Sequence, residues 1–187
     1  MKYIAIIPAR YASTRFPGKP LALLGGKTVI ERVYQQVKKE IDDIYVATDD
    51  ERIKEAVEAF GGRVVMTRPN HQSGTERIEE ALETIVLQTG TEPDVVINVQ
   101  GDEPFIQPSQ IRLLCSQFDL DETQIATIGI RFKSMEAVAN PNSPKIIVDR
   151  NGYALYFSRS VIPFVRGKEQ REWMDCYPYL KHIGLYS

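Results

Sequence analysis

Apolar positions along this chain switch repeatedly between two periods. Residues 3–7 form a short continuous apolar run closed by Pro8, which reads as a buried strand. At Thr28 the period changes. Ile30, Val33, Tyr34 and Val37 recur at helical spacing behind a Thr-x-x-Glu capping box made by Thr28 and Glu31. Residues 43–48 read as a second strand. Asp49 or Asp50 then caps a helix whose apolar face is Ile53, Ala56, Val57 and Phe60, and Gly61 and Gly62 stop it. Residues 63–66 form a short third strand. Ser73 and Glu76 make a second capping box, followed by the stripe Ile78, Ala81, Leu82, Ile85 and Val86. Residues 95–99 are apolar almost throughout, as a central strand should be. Pro108 sits at the first turn of a helix running to about Phe118, and residues 125–130 form another strand. Residues 146–149 and 153–156 flank Asn151 and Gly152, a strong hairpin signal.

Strands and helices in strict alternation imply a three-layer α/β/α domain with a mostly parallel, mixed sheet. The length, 187 residues, suits a single domain able to bury a core without disulfides. Residues 183–187 read as one more apolar strand, and no polar exit follows. The expectation is a single domain over 1–187 that lacks its C-terminal part.

Composition narrows the function. Hydrophobic residues make up 43% and charged residues 26%, a globular balance. No apolar run reaches membrane-spanning length, and the N-terminus does not read as a signal peptide. Cys115 and Cys176 lie far apart with no metal or redox spacing. These features favour a reduced, cytoplasmic protein. The net charge of −2 argues against nucleic acid or a membrane as partner. Residues 1–30 nevertheless carry Lys2, Arg10, Arg15, Lys19 and Lys27 and no acid. Such a bias suits an anion site, though short windows also fluctuate by chance.

Ligands of open α/β sheets bind beyond the carboxyl ends of the strands, and three segments leave those ends. In residues 8–20, Arg10, Arg15 and Lys19 can converge on a triphosphate. Arginine forks onto phosphate oxygens and lysine acts as a mobile point charge. A solvated basic loop is the plain alternative. A Walker loop is excluded, because its first glycine would fall at Leu21. In residues 98–104, Asp102 follows a buried strand. One carboxylate plus substrate phosphates is a usual way to hold Mg²⁺. Gln100 offers a donor and an acceptor, and Gly101 permits close backbone approach. An ordinary Gly-Asp turn reads the same way. In residues 71–77, a capped helix start presents free N–H groups, and Arg77 sits unfavourably in its first turn unless an anion or Glu76 and Glu80 offset it.

The stretches IIPARYASTRFPGKPL, TRPNHQSGTER, INVQGDEPFI, NPNSPKIIVD, GYALYFSRSVIP and KHIGLY, running from near the start to the end of the chain, resemble the 3-deoxy-manno-octulosonate (Kdo) cytidylyltransferases. The resemblance implies a nucleotide-diphosphosugar transferase-like fold. It also implies that CTP and Kdo give CMP-Kdo and pyrophosphate with Mg²⁺ as cofactor, in a cytoplasmic homodimer serving lipopolysaccharide biosynthesis. Carried over, Arg10, Arg15 and Lys19 hold the triphosphate and Asp102 binds Mg²⁺, so Arg15, Lys19 and Asp102 carry the catalysis. Ser73, Gly74, Arg77 and Gln100 line the cytidine and reaction-centre pocket, and Arg159, Arg166, His182 and Tyr186 contact the acidic sugar. Family members continue past Ser187, into a stretch holding a second metal-binding aspartate. The rival readings are a cytidylyltransferase for another acidic sugar, of sialic acid or amino-Kdo type, and a non-catalytic nucleotide-binding fragment.

Overall fold

The computed structural model describes residues 1–12 and 16–187. They divide into two compact units, Met1–Ala126 with Leu185–Ser187, and Thr127–Gly184.

The first unit is built on four parallel strands. β1 (Tyr3–Ala9) leads through a small hairpin, β2 (Leu23–Leu24) and β3 (Lys27–Thr28), to α1 (Val29–Val37) and β4 (Ile44–Thr48). Then come α2 (Glu51–Ala59), β5 (Val64–Met66), α3 (Gly74–Thr89), β6 (Val95–Val99) and α4 (Pro108–Cys115). The strands lie in the order β5-β4-β1-β6. The last residues of the chain add an antiparallel edge to β6, with Leu185 opposite Val99 and Tyr186 opposite Asn98. The sheet is thus mixed and mostly parallel, as the alternation of periods requires.

The capping signals work as read. Thr28 Oγ1 accepts from the Glu31 N–H at 3.2 Å and Ser73 Oγ from the Glu76 N–H at 3.2 Å. Of the two candidate caps of α2, Asp50 is the one used, accepting from the Arg52 N–H at 3.0 Å. Asp49 is left for another role.

Side chains along β1 alternate between faces. Ile4 and Ile6 pack with Ala47, Val65 and the Ile78, Ala81 and Ile85 stripe of α3. Ala5 and Ile7, also fully buried, face the opposite layer, to which α1 contributes Ile30, Val33 and Val37.

Pro8 does not end β1, which runs on to Ala9. The Ala5 N–H donates to Asp43 O on the β4 side, so by alternation the missing N–H of Pro8 falls on the β6 side. Registered pairing there stops at Ile6 and Asn98, so no ladder bond is lost.

The second unit is antiparallel in its pairings. It contains β7 (Thr127–Arg131), α5 (Met135–Ala139), β8 (Lys145–Val148), β9 (Ala154–Ser158), α6 (Trp173–Cys176) and the start of β10 (Leu180–Tyr186). β8 pairs with β9 around the expected turn, where Gly152 has φ 90°. Leu180 stands opposite Ile146 and Lys181 opposite Lys145, and β7 pairs with β10. Phe132, Val138, Trp173 and Tyr179 form its core. The helices α5 and α6 escape a reading by periodicity because each is shorter than two turns.

Candidate active site

The segment after β1 folds back on itself. Tyr11 O accepts from the Gly18 N–H at 2.8 Å, and the Arg52 guanidinium lies 3.4 Å from the Tyr11 ring centroid. Gly18 has φ 70°, and a side chain there would meet the Tyr11 ring. This closure delivers Lys19 to a turn, Lys19–Leu21, that faces the segment following β6. Lys19 Nζ reaches Asp102 Oδ2 at 2.7 Å. Both side chains are substantially exposed, at 38% and 51%. Such a pair contributes little to stability, so exchanging it for an anion on the lysine and a cation on the carboxylate costs little. Arg15 lies outside the described residues.

A cleft of about 170 Å³ is lined by Pro8, Ala9, Arg10, His71, Gln72, Ser73, Gly74, Arg77 and Gln100, the last of which stands two positions before Asp102 in the chain. Five residues chosen from sequence thus share one wall-to-wall space: Arg10, Ser73, Gly74, Arg77 and Gln100. The cleft exists because the three segments approach closely. A Cβ on Gly101 would stand 2.8 Å from Pro8 O, and one on Gly74 would stand 3.3 Å from the Pro8 ring. Only glycine lets the segment after β6 lie against β1 at that distance.

Three hydrogen-bonded sets hold the walls. The Arg77 guanidinium, 5% exposed, lies 3.3 Å from Asp49 Oδ1 and donates to Thr67 Oγ1 at 2.5 Å. Asp49 Oδ1 makes no aligned hydrogen bond, so it meets Arg77 as a charge. His71 bonds Glu80 through Nε2, and the Arg68 side chain reaches the same carboxylate at 3.2 Å. Burial would raise the Glu80 carboxyl, but the bonds from His71 and Arg68 more than offset it and hold the group below its ordinary range. Gln100 Nε2 donates to the buried Asn98 Oδ1 at 3.1 Å, which holds the Gln100 amide against the cleft wall. Tyr186 stands opposite Asn98 on the neighbouring strand.

The second unit carries Arg159, Arg166 and His182. Arg159 is exposed and its Nη1 donates to Pro141 O at 3.1 Å. His182 Nε2 bonds Thr127 Oγ1 at 2.8 Å and stacks edge-on with Phe157, and burial lowers its pKa. Arg166 is exposed.

Asp49 answers the Arg77 charge, while Glu80, named from sequence for that task, bonds His71 and Arg68 instead; sequence reading missed Asp49 in this role, Thr67 and Asn98. Asp49 carried the one usable signal, since two adjacent aspartates competed for a single cap. Among the described residues no cluster of three or more His, Cys, Asp or Glu is placed to hold a metal. Asp102 is an exposed hard-oxygen donor beside a cationic loop, which fits Mg²⁺ held jointly by one carboxylate and phosphate oxygens.

The cytidylyltransferase family model matches residues 4–187. The chain is 57% identical to 3-deoxy-manno-octulosonate cytidylyltransferase of Bacteroides thetaiotaomicron, over all of this chain and 74% of that protein. It is 43% identical to the protein of that name from Vibrio parahaemolyticus, over all of this chain and 74% of that protein. Its fold matches the solved structure of CMP:2-keto-3-deoxy-manno-octonic acid synthetase complexed with CTP, with a TM-score of 0.87 and 40% identity. That match covers the whole chain and 73% of the other. A basic loop and a carboxylate meeting at the carboxyl ends of parallel strands, in a chain matched almost end to end, establish that this protein belongs to the cytidylyltransferase family.

Proposed function

We propose that the protein transfers the cytidylyl group of CTP to Kdo, giving CMP-Kdo and pyrophosphate. Family membership and the names of its relatives support the reading. The observation that carries it is the meeting of Lys19 and Asp102, with Asp102 on the same short segment as Gln100, which lines a cleft together with Arg10 and Ser73.

In this reading Arg10, Arg15 and Lys19 bind the triphosphate, and Lys19 exchanges Asp102 for a phosphate oxygen. Asp102 would hold Mg²⁺, which when bound supplies positive charge to the phosphates and favours ionisation of the attacking hydroxyl. Ser73, Gly74, Arg77 and Gln100 frame the nucleoside, and Arg159, Arg166, His182 and Tyr186 address the sugar. The anomeric oxygen of Kdo bonds to the α-phosphorus, its proton passes to solvent, and the bond to pyrophosphate breaks. No covalent enzyme intermediate is needed, so orientation and charge stabilisation dominate.

A pyrophosphate-release assay with Kdo and each of the four nucleoside triphosphates tests the function. Release with CTP alone is expected. No release with CTP, or faster release with sialic acid than with Kdo, overturns it. Lys19→Ala is expected to raise the CTP KM by at least about tenfold, through loss of a charge-assisted phosphate contact. An unchanged CTP KM removes Lys19 from the triphosphate site.

The same proposal makes the protein a cytoplasmic homodimer that supplies activated sugar for lipopolysaccharide assembly. Exposed Leu155, Tyr156 and Phe157 on β9 support an interface. Sedimentation of the full-length protein as a monomer would remove the dimer.

A further inference from the structure

Lys145 is fully buried, with 0% exposure. Its Nζ donates to Asn140 O at 2.9 Å and to Arg159 O at 2.9 Å. The Arg159 guanidinium donates to Pro141 O at 3.1 Å. The ammonium and the guanidinium thus grip consecutive carbonyls of one turn, while β8–β9 pairing sets Lys145 opposite Ser158, next to Arg159. Burial lowers the Lys145 pKa, and the Arg159 charge lowers it further, with no carboxylate acting in the other direction.

Burying a lysine without a counter-charge is strongly unfavourable, and lysine is seldom found this way. A cation near the C-terminus of α5 gains a little from the helix end, but a surface lysine would gain the same without burial. A neutral amide also offers two N–H donors, though on a glutamine side chain one bond shorter. What a lysine adds at this place is positive charge behind Arg159.

We propose that Lys145 is a positioning residue for the acidic sugar: its buried charge holds the Arg159 backbone and the turn at 140–141, and biases this part of the second unit toward the sugar carboxylate. The proposal rests on the assignment of Arg159 to the sugar given above. It adds a residue that acts through Arg159 rather than by contact.

Lys145→Gln in the full-length protein removes the charge while keeping two N–H donors on a side chain one bond shorter, so part of the clamp is retained. The expected result is a Kdo KM raised about tenfold, with the CTP KM within about twofold and the thermal midpoint lowered less than in Lys145→Met. The preference for Kdo over its neutral C1 methyl ester should shrink by a similar factor. Lys145→Met should behave alike toward the sugar, with a lower midpoint because both carbonyls lose their donor. An unchanged Kdo KM and ester preference in Lys145→Gln overturns the proposal. So does a parallel loss of CTP affinity, Kdo affinity and midpoint, or failure of both variants to fold, since each assigns Lys145 a structural role only. Failure of the unsubstituted protein to release pyrophosphate from CTP and Kdo would instead sink the underlying function, and is read separately.

Discussion

Asp102→Asn lowers turnover of CTP with Kdo by roughly two to three orders of magnitude, even in saturating Mg²⁺. Asparagine keeps the shape of the side chain and one acceptor oxygen, so the turn after β6 and its close approach to Pro8 survive. What disappears is the negative charge. An amide oxygen is a poor substitute for a carboxylate as a ligand of a hard divalent ion. The lysine beside it loses its partner at the same time, but that pair is exposed and contributes little to the fold. The CTP KM should therefore move much less than kcat, because Arg10 and Lys19 remain. Chelation of the unsubstituted protein with EDTA should abolish turnover, and added Mg²⁺ should restore it. Steady-state kinetics decide the matter: near-normal kcat in Asp102→Asn removes the proposed metal role, and a large rise in CTP KM at constant kcat would make Asp102 a binding group only.

The largest expected effect on stability lies behind the cleft rather than in it. Asp49→Ala leaves the Arg77 guanidinium, 5% exposed, without its counter-charge. Breaking a buried ion pair by removing one partner typically costs about 3–5 kcal/mol. Asp49 is itself 20% exposed and meets Arg77 without hydrogen-bond alignment, so about 2–3 kcal/mol is the better figure. For a chain of this size that lowers the thermal midpoint by about 5–10 °C. Asp49→Ala with Arg77→Met should be more stable than Asp49→Ala alone, because removing both charges leaves none stranded. Thermal unfolding of the single and double variants measures both points. Equal midpoints for the two would show that Arg77 finds water or another acceptor when Asp49 is gone. A midpoint for Asp49→Ala within about 2 °C of the parent would show that the pair carries no stability.

Residues of a cleft and residues that hold a cleft differ in how visible they are in sequence. Arg10, Ser73, Gly74, Arg77 and Gln100 were legible because each sits at a strand's carboxyl end or a capped helix start, and topology brings such places together. Asp49 and Thr67 were not. Their part in the site comes from contact with Arg77 across separate elements, and nothing local in their neighbourhood requires it. Lys145 was the hardest case. A lysine between Pro144 and Ile146 reads as a solvated strand end, and only the packing of the second unit encloses it.

The period of apolar residues, the Thr28 and Ser73 caps, the Asn151-Gly152 turn and the glycine at 101 were determined by the sequence itself, because each is a matter of local steric and hydrogen-bond preference within a few residues. Tertiary structure alone decided which aspartate capped α2, that Pro8 stayed within a strand, and that Lys19 met Asp102 across 83 positions of chain. Those outcomes depend on which backbone neighbours and counter-charges arrive from distant segments, and no short-range preference encodes them.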